Sequence, residues 1–253
     1  MDLGLKGLRA IVTGGTRGIG RAIVETLLAE GAQVAYCARN PEEVAAAEAA
    51  FKVSGAKSFG MVADVSDSDA LKAWVSQAAK AMGGIDIVVA NVSALAVGND
   101  EASWRKGYEV DLMGTVRLVD AAMPELTHSA NASIVTIASV SGHEVDFAAG
   151  PYGAFKAAII HYTQGLAFHL AAKGIRANSM SPGNTYFPGG VWEKIEQENP
   201  ALFRESLALN PTGRMGKPQE MANAVAFLAS PAASFVTGTN LVVDGALTRG
   251  VQF

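Results

Sequence analysis

The sequence predicts an α/β domain built on a doubly wound parallel sheet of about seven strands. Three observations carry this. Short apolar runs alternate with longer stretches of helical spacing along the whole chain, and the first run ends in a glycine-rich turn that leads straight into a helical pattern. The composition, 49% hydrophobic with 27 glycines, suits a sheet buried on both faces with many tight turns. Parallel strands need crossover connections, so an alternation of this kind puts helices on both faces of one sheet.

In chain order, strands are expected at Arg9 to Thr13, Gln33 to Ala38, Ser58 to Ala63, Ile85 to Ala90, Ser133 to Ala138, Ile175 to Met180 and Asn240 to Val243. Each is a short apolar run of the kind that fills a buried strand. Helical spacing marks Ile19 to Glu30, Pro41 to Ser54, Ser68 to Met82, Pro151 to Ala172 and Pro218 to Ala229. Pro151 suits the first position of its helix, where a missing N–H costs nothing. At 253 residues, with no repeat, low-complexity tract or linker, the whole chain, 1–253, is expected to form a single domain. The irregular region lies between Pro182 and Pro211 and contains the helical-looking Val191 to Glu198. A long excursion from a compact sheet is usually functional, and residues 184–211 are expected to act as a substrate lid.

Composition also excludes several classes. A net charge of −4 leaves no basic footprint for nucleic acid. No apolar run approaches a membrane span and the start, Met1-Asp2-Leu3-Gly4-Leu5-Lys6, lacks a signal-peptide core, so a soluble cytoplasmic protein is expected. Cys37, the single cysteine, reads as a buried strand residue. The histidines, at 128, 143, 161 and 169, show no metal-ligand pattern, and no metal site is expected.

The chemistry begins at Thr13-Gly14-Gly15-Thr16-Arg17-Gly18-Ile19-Gly20, between the first strand and the first helix. Gly14, Gly18 and Gly20 let the backbone turn tightly and approach a pyrophosphate, whose charge the helix N-terminus favours. A carboxylate at the tip of the second strand would bind the ribose of NAD, but the chain reads Cys37-Ala38-Arg39-Asn40 there. Arg39, with Arg17 in the loop, points to NADP over NAD. Tyr152 and Lys156 stand four positions apart, on one face of a helix. An ammonium about 4 Å from a phenol favours its ionised form, which would make Tyr152 a usable proton donor or acceptor near neutrality. Ser139 follows the fifth apolar run, where a strand could present its hydroxyl to the same point.

Together, Thr13-Gly14-xxx-Gly18-x-Gly20, Asp64-Val65, Asn91, Ser139, Tyr152-xxx-Lys156 and Ser181-Pro182-Gly183 resemble the short-chain dehydrogenase/reductase family, in its order and at its spacing, from about Leu5 to Gly245. The likeness is to its 3-oxoacyl-ACP-reductase-like members. The resemblance implies a Rossmann fold in which Tyr152 is the acid/base, Lys156 assists its ionisation and holds the nicotinamide ribose, and Ser139 positions the substrate oxygen. It further implies that Asp64 binds the adenine amino group, Val65 flanks the ring, Asn91 sits beside the cofactor, and Pro182, Gly183 and Thr185 line the nicotinamide pocket. The partners implied are a small-molecule alcohol or ketone and, for the assembly, a homotetramer; the apolar stretches Leu112 to Ala122 and Ala154 to Leu170 fit a subunit interface.

Three stretches depart from the family pattern. Ala90-Asn91-Val92-Ser93 replaces Asn-Asn-Ala-Gly, Phe187 stands where a threonine often touches the carboxamide, and Val110-Asp111-Leu112 replaces the Val-Asn-Leu that supplies the fourth active-site residue. An ionised Asp accepts hydrogen bonds only, whereas Asn also donates. Asp111 is expected to anchor the water chain to Lys156 and to alter the optimal pH. Tyr186, Phe187, Trp192 and Phe203 would form an aromatic lid, with His143, Glu144 and Phe147 in the loop before Tyr152; for Trp192 and Phe203, packing of the lid onto the core is the favoured reading. The alternative function is a dinucleotide-binding sensor or scaffold whose turnover is impaired by Asp111 and Ser93. Isomerase or dehydratase chemistry on the same scaffold is a third.

Overall fold

The computed structural model describes residues 2–53 and 55–251. Met1 and Ser54, at the start of the chain and the expected end of the second helix, lie outside the described residues. Seven parallel strands form one sheet in the order β3-β2-β1-β4-β5-β6-β7. They are β1 (Arg9–Thr13), β2 (Gln33–Ala38), β3 (Ser58–Val62), β4 (Ile87–Ala90), β5 (Ser133–Ile137), β6 (Arg176–Pro182) and β7 (Asn240–Val243). The expected runs fall on these strands to within two residues at each end.

The helices are α1 (Gly18–Ala29), α2 (Pro41–Val53), α3 (Ser68–Met82), α4 (Glu101–Gly107), α5 (Gly114–Leu126), α6 (Pro151–Leu170), α7 (Val191–Glu198), α8 (Pro200–Ala208) and α9 (Pro218–Ala229). A π-helical turn, Tyr108–Met113, joins α4 to α5. Two helices escape the apolar periodicity. In α4 the pattern is lost in Glu101, Ser103, Arg105 and Lys106, although the Asp100 side chain caps its start by accepting from the Ser103 N–H at 2.9 Å. In α8 the signal was Asn199-Pro200: the Asn199 side chain accepts from the Leu202 N–H, and Pro200 opens the helix. The region after Pro182 is therefore largely helical.

Alternation along the strands builds two cores. Ala10, Val12, Val34, Tyr36, Ile87 and Val89 pack on one face with Ile23, Leu27, Phe51 and Val225; Ile11, Ala35, Val88, Ile134 and Ala177 pack on the other with Leu71, Trp74, Leu118 and Ala167. Cys37 is buried in the second of these cores, where desolvation pushes its thiol up to about 12. The consequence for function lies in the strand order. β1 and β4 are neighbours, and the chain winds outward from them in opposite directions, so a crevice opens beyond their C-terminal ends. No helix of the described residues is long and apolar enough to cross a membrane.

Candidate active site

The crevice is lined first by the turn after β1. Gly14 and Gly18 adopt φ of +69° and +55°, the left-handed region that side chains other than glycine rarely occupy. The Gly14 and Gly15 N–H groups donate to the Cys37 carbonyl, which ties the turn to the tip of β2. Asn91, at the end of β4, crosses the switch point: its Nδ2 donates to the carbonyls of Thr13 at 3.0 Å and Gly14 at 3.3 Å, and its backbone N–H to the Thr13 hydroxyl. Asn91 thus braces the loop from behind. Arg17, at the N-cap of α1, makes no side-chain cap, and among the described residues no side chain is hydrogen-bonded to the amides that open this helix.

Gly20 is the tightest point. A Cβ there would lie 2.0 Å from the Gly14 carbonyl oxygen and 2.4 Å from Asn91 Nδ2. Gly20→Ala is therefore expected to force the loop apart and to weaken dinucleotide affinity by more than about tenfold, read by fluorescence titration, while Gly165→Ala, a change into open space on α6, leaves it unaltered. An unchanged affinity in Gly20→Ala would show that the loop does not shape the binding surface.

Around the mouth of the loop, Thr16 is buried and donates to Glu43 Oε2 at 2.9 Å. Arg17 and Arg39 are exposed, and Arg39 Nη1 stands 4.0 Å from Asp64 Oδ2. Asp64 accepts from the N–H and hydroxyl of Ser66, while Asp67 caps α3. Val65 is buried with its side chain against Gly114 of α5. Ile19, half-buried, packs its side chain on the core beneath the loop.

The second wall comes from β5 and α6. Ser139, buried, follows the last residues of β5 and caps a short 3-10 turn, with Oγ accepting from the Ser141 N–H at 3.2 Å. That turn lies directly on the start of α6, because a Cβ on Gly142 would be 2.8 Å from the Ala157 nitrogen and one on Gly153 would be 2.8 Å from the Ser141 carbonyl oxygen. Two glycines thereby bring Ser139 onto the same wall as Tyr152 and Lys156. Tyr152 is half-buried, and the Lys156 ammonium lies 5.6 Å from its ring centroid. Among the described residues no hydrogen bond joins the two side chains; Lys156 Nζ donates instead to the Ile137 carbonyl at 3.0 Å and stands 3.4 Å from Asp111 Oδ1.

Asp111 is the fourth member. It is 1% exposed and sits on the π-helical turn, a wide turn that commonly marks functional sites. Its Oδ2 accepts from the Ala94 N–H at 2.9 Å, and Oδ1 has no hydrogen-bond partner among the described residues, facing only the Lys156 ammonium. A buried carboxylate and a buried ammonium, each 2% exposed in its side chain, thus form an ion pair behind Tyr152. Nothing in the sequence revealed the partners Ala94 and Ile137, because both act through backbone atoms.

The third wall follows β6. Pro182 closes that strand, the Gly183 N–H donates to the Val243 carbonyl, and the Thr185 hydroxyl donates to the Gly183 carbonyl. Phe187 lies against the glycine turn: a Cβ on Gly18 would be 2.5 Å from its ring. Trp192 is buried and meets Phe147 edge-on at 5.5 Å, whereas Tyr186 and Phe203 pair at 6.1 Å. His143 is bound, with Nε2 2.6 Å from Asn240 Nδ2 and 3.3 Å from Ser181 Oγ, and Glu144 accepts from the Arg249 and Gly250 N–H groups.

A family model described as enoyl-(acyl carrier protein) reductase matches residues 14–248. The chain is 41% identical over 259 aligned positions to isoepoxydon dehydrogenase of Penicillium expansum, covering 100% of this chain and 99% of that one. It is 34% identical to cis-4-hydroxycyclohexanecarboxylate dehydrogenase of Sinomonas cyclohexanicum, covering 94% and 96%. Among solved structures it is similar to an NADPH-bound short-chain oxidoreductase of Pseudomonas aeruginosa PAO1 with an atypical catalytic center, at 33% identity and a TM-score of 0.88, covering 96% and 98%. The sheet order, the glycine turn at the switch point and these matches lead to one conclusion: the chain belongs to the short-chain dehydrogenase/reductase family, whose members are oxidoreductases that use a nicotinamide dinucleotide.

Proposed function

We propose that the chain interconverts a secondary alcohol and its ketone with NADP(H), Tyr152 serving as general acid and base. The observation that supports the reading is that Gly142 and Gly153 let the turn capped by Ser139 lie on the start of α6, the helix that carries Tyr152 and the anchored Lys156. The residues present fit a dinucleotide: the positive-φ glycines Gly14 and Gly18 add no side chain of their own beside the uncapped amides of α1, and the Phe187 ring rests on Gly18 at the edge of the turn. When bound, the nicotinamide supplies or accepts the hydride. Gly14, Thr16, Arg17, Gly18, Ile19 and Gly20 shape the phosphate side, with Asn91 behind them. Asp64 and Val65 serve the adenine side, and Pro182, Gly183 and Thr185 the nicotinamide side. Ser139 hydrogen-bonds the substrate oxygen. Tyr152 gives that oxygen a proton in reduction and removes it in oxidation. Lys156, held by Ile137 and Asp111, presents its ammonium to the ribose and to Tyr152, and Asp111 sets its position.

NADP is favoured by Arg39 at the tip of β2 and Arg17 in the loop, the positions from which an arginine meets a 2′-phosphate. A ring-bearing apolar substrate is favoured by the rim, where Leu95, Val97, Val145 and Phe147 stay exposed, with residues 184–211 as the lid. The name cis-4-hydroxycyclohexanecarboxylate dehydrogenase points to a ring-bearing alcohol. Phe168 and Phe235, both strongly exposed, suit burial in a homotetramer, which sedimentation would report as a single species near four chain masses; a monomer at micromolar concentration would reject it.

The function is tested with the purified chain, NADPH and a panel of cyclic ketones and enones. Loss of reduced-nicotinamide absorbance that depends on both Tyr152 and a ketone is the expected result. Tight NADPH binding with no turnover on any compound would favour the sensor reading instead.

A further inference from the structure

The adenosine end of the crevice carries as many carboxylates as arginines. Arg17 and Arg39 are exposed there, and Asp64 Oδ2 is 4.0 Å from Arg39 Nη1. Glu43, on the first turn of α2, is held at the glycine turn by the Thr16 hydroxyl, 2.9 Å from its Oε2, and Thr16 is 7% exposed. The carboxylate is therefore fixed beside the loop rather than solvated at a distance. The next cation, Arg21 on α1, does not offset it, because Arg21 is bound to Glu25 at 2.8 Å and covers the Phe51 ring at 5.6 Å.

We infer that Glu43 is a specificity-determining residue that opposes the 2′-phosphate of NADP(H). Its negative charge offsets the attraction of Arg17 and Arg39, and its acceptor oxygen occupies the Thr16 hydroxyl, a donor that a phosphate would otherwise use. NADP(H) and NAD(H) then bind with a narrower difference in affinity than two arginines alone would set. The inference rests on the dinucleotide reading of the crevice and adds which group limits its selectivity.

The test is equilibrium binding of NADP+ and NAD+ to the full chain, by calorimetry, with Glu43→Gln. Glutamine keeps an oxygen for the Thr16 hydroxyl and removes only the charge. NADP+ affinity is expected to rise about fivefold to tenfold, with NAD+ affinity within about twofold of wild type. The gain is expected to shrink at high ionic strength, since Arg17 and Arg39 are exposed. Glu42→Gln, the same charge change one residue away without the Thr16 contact, is expected to alter the ratio less than about twofold. An unchanged NADP+ to NAD+ ratio in Glu43→Gln, or an equal change in Glu42→Gln, overturns the inference while leaving dinucleotide binding intact. Failure of wild-type chain to bind either nucleotide overturns the dinucleotide reading itself, and the inference with it.

Discussion

Tyr152→Phe is expected to lower kcat by about 10²- to 10⁴-fold, the range a positioned general acid supplies. The substitution removes one hydroxyl and keeps the ring that lies 5.6 Å from the Lys156 ammonium, so the packing of α6 against the turn at Gly142 is preserved. Dinucleotide affinity, set by the glycine turn across the crevice, is expected to stay within about twofold. Steady-state kinetics and a fluorescence titration on the same preparation separate the two effects. Turnover that survives within tenfold of wild type would move the proton-transfer role to another residue, for which His143 is poorly placed because Asn240 and Ser181 already hold its Nε2.

Lys156→Met is expected to lose both turnover and stability, and the second loss is the more informative. In the wild type the Asp111 carboxylate is buried, and among the described residues its Oδ1 has no hydrogen-bond partner and stands 3.4 Å from the Lys156 ammonium. Methionine fills a similar volume but leaves that charge without a counter-ion, an arrangement that costs about 3–5 kcal/mol. For a chain of this size the midpoint of thermal unfolding should fall on the order of 10 °C. Asp111→Leu in the same chain removes the stranded charge, so the double variant should recover most of the stability and none of the activity. A single Lys156→Met variant as stable as wild type would mean that Asp111 is not held as an anion by this pair. Asp111→Asn adds a kinetic reading, since it keeps an acceptor for the Ala94 N–H and removes the charge beside Lys156. Its pH–rate profile is expected to move, and an unmoved profile would assign Asp111 a structural role alone.

The π-helical turn explains why the sequence could name Asp111 without describing its environment. Val110-Asp111-Leu112 reads as ordinary helix, and nothing in a 3.6-residue period signals the extra residue of a π-turn. The helix before that turn leaves no apolar period in the sequence for the converse reason. Its exposed face is charged, and only Asp100 three residues before Ser103 marks its start. The strands were easier to place, because a parallel sheet covered on both faces makes each one a short uninterrupted apolar run.

By itself the sequence determined the alternating α/β architecture, the glycine turn opening the first helix, the Tyr152–Lys156 spacing and the family. Each of these is written in local periodicity or in residues a few positions apart, and so survives in one dimension. Only the tertiary structure decided what those residues touch. Lys156 reaches a carbonyl of β5 and a carboxylate from another helix, Glu43 is drawn to the glycine turn by Thr16, and Phe187 comes to rest on Gly18. The physical reason is the strand order: β1 and β4 are brought side by side and the chain winds away from them in both directions, so segments distant in sequence meet in one crevice. Each contact depends on which distant segments the sheet brings together, and the identities of the side chains do not encode that.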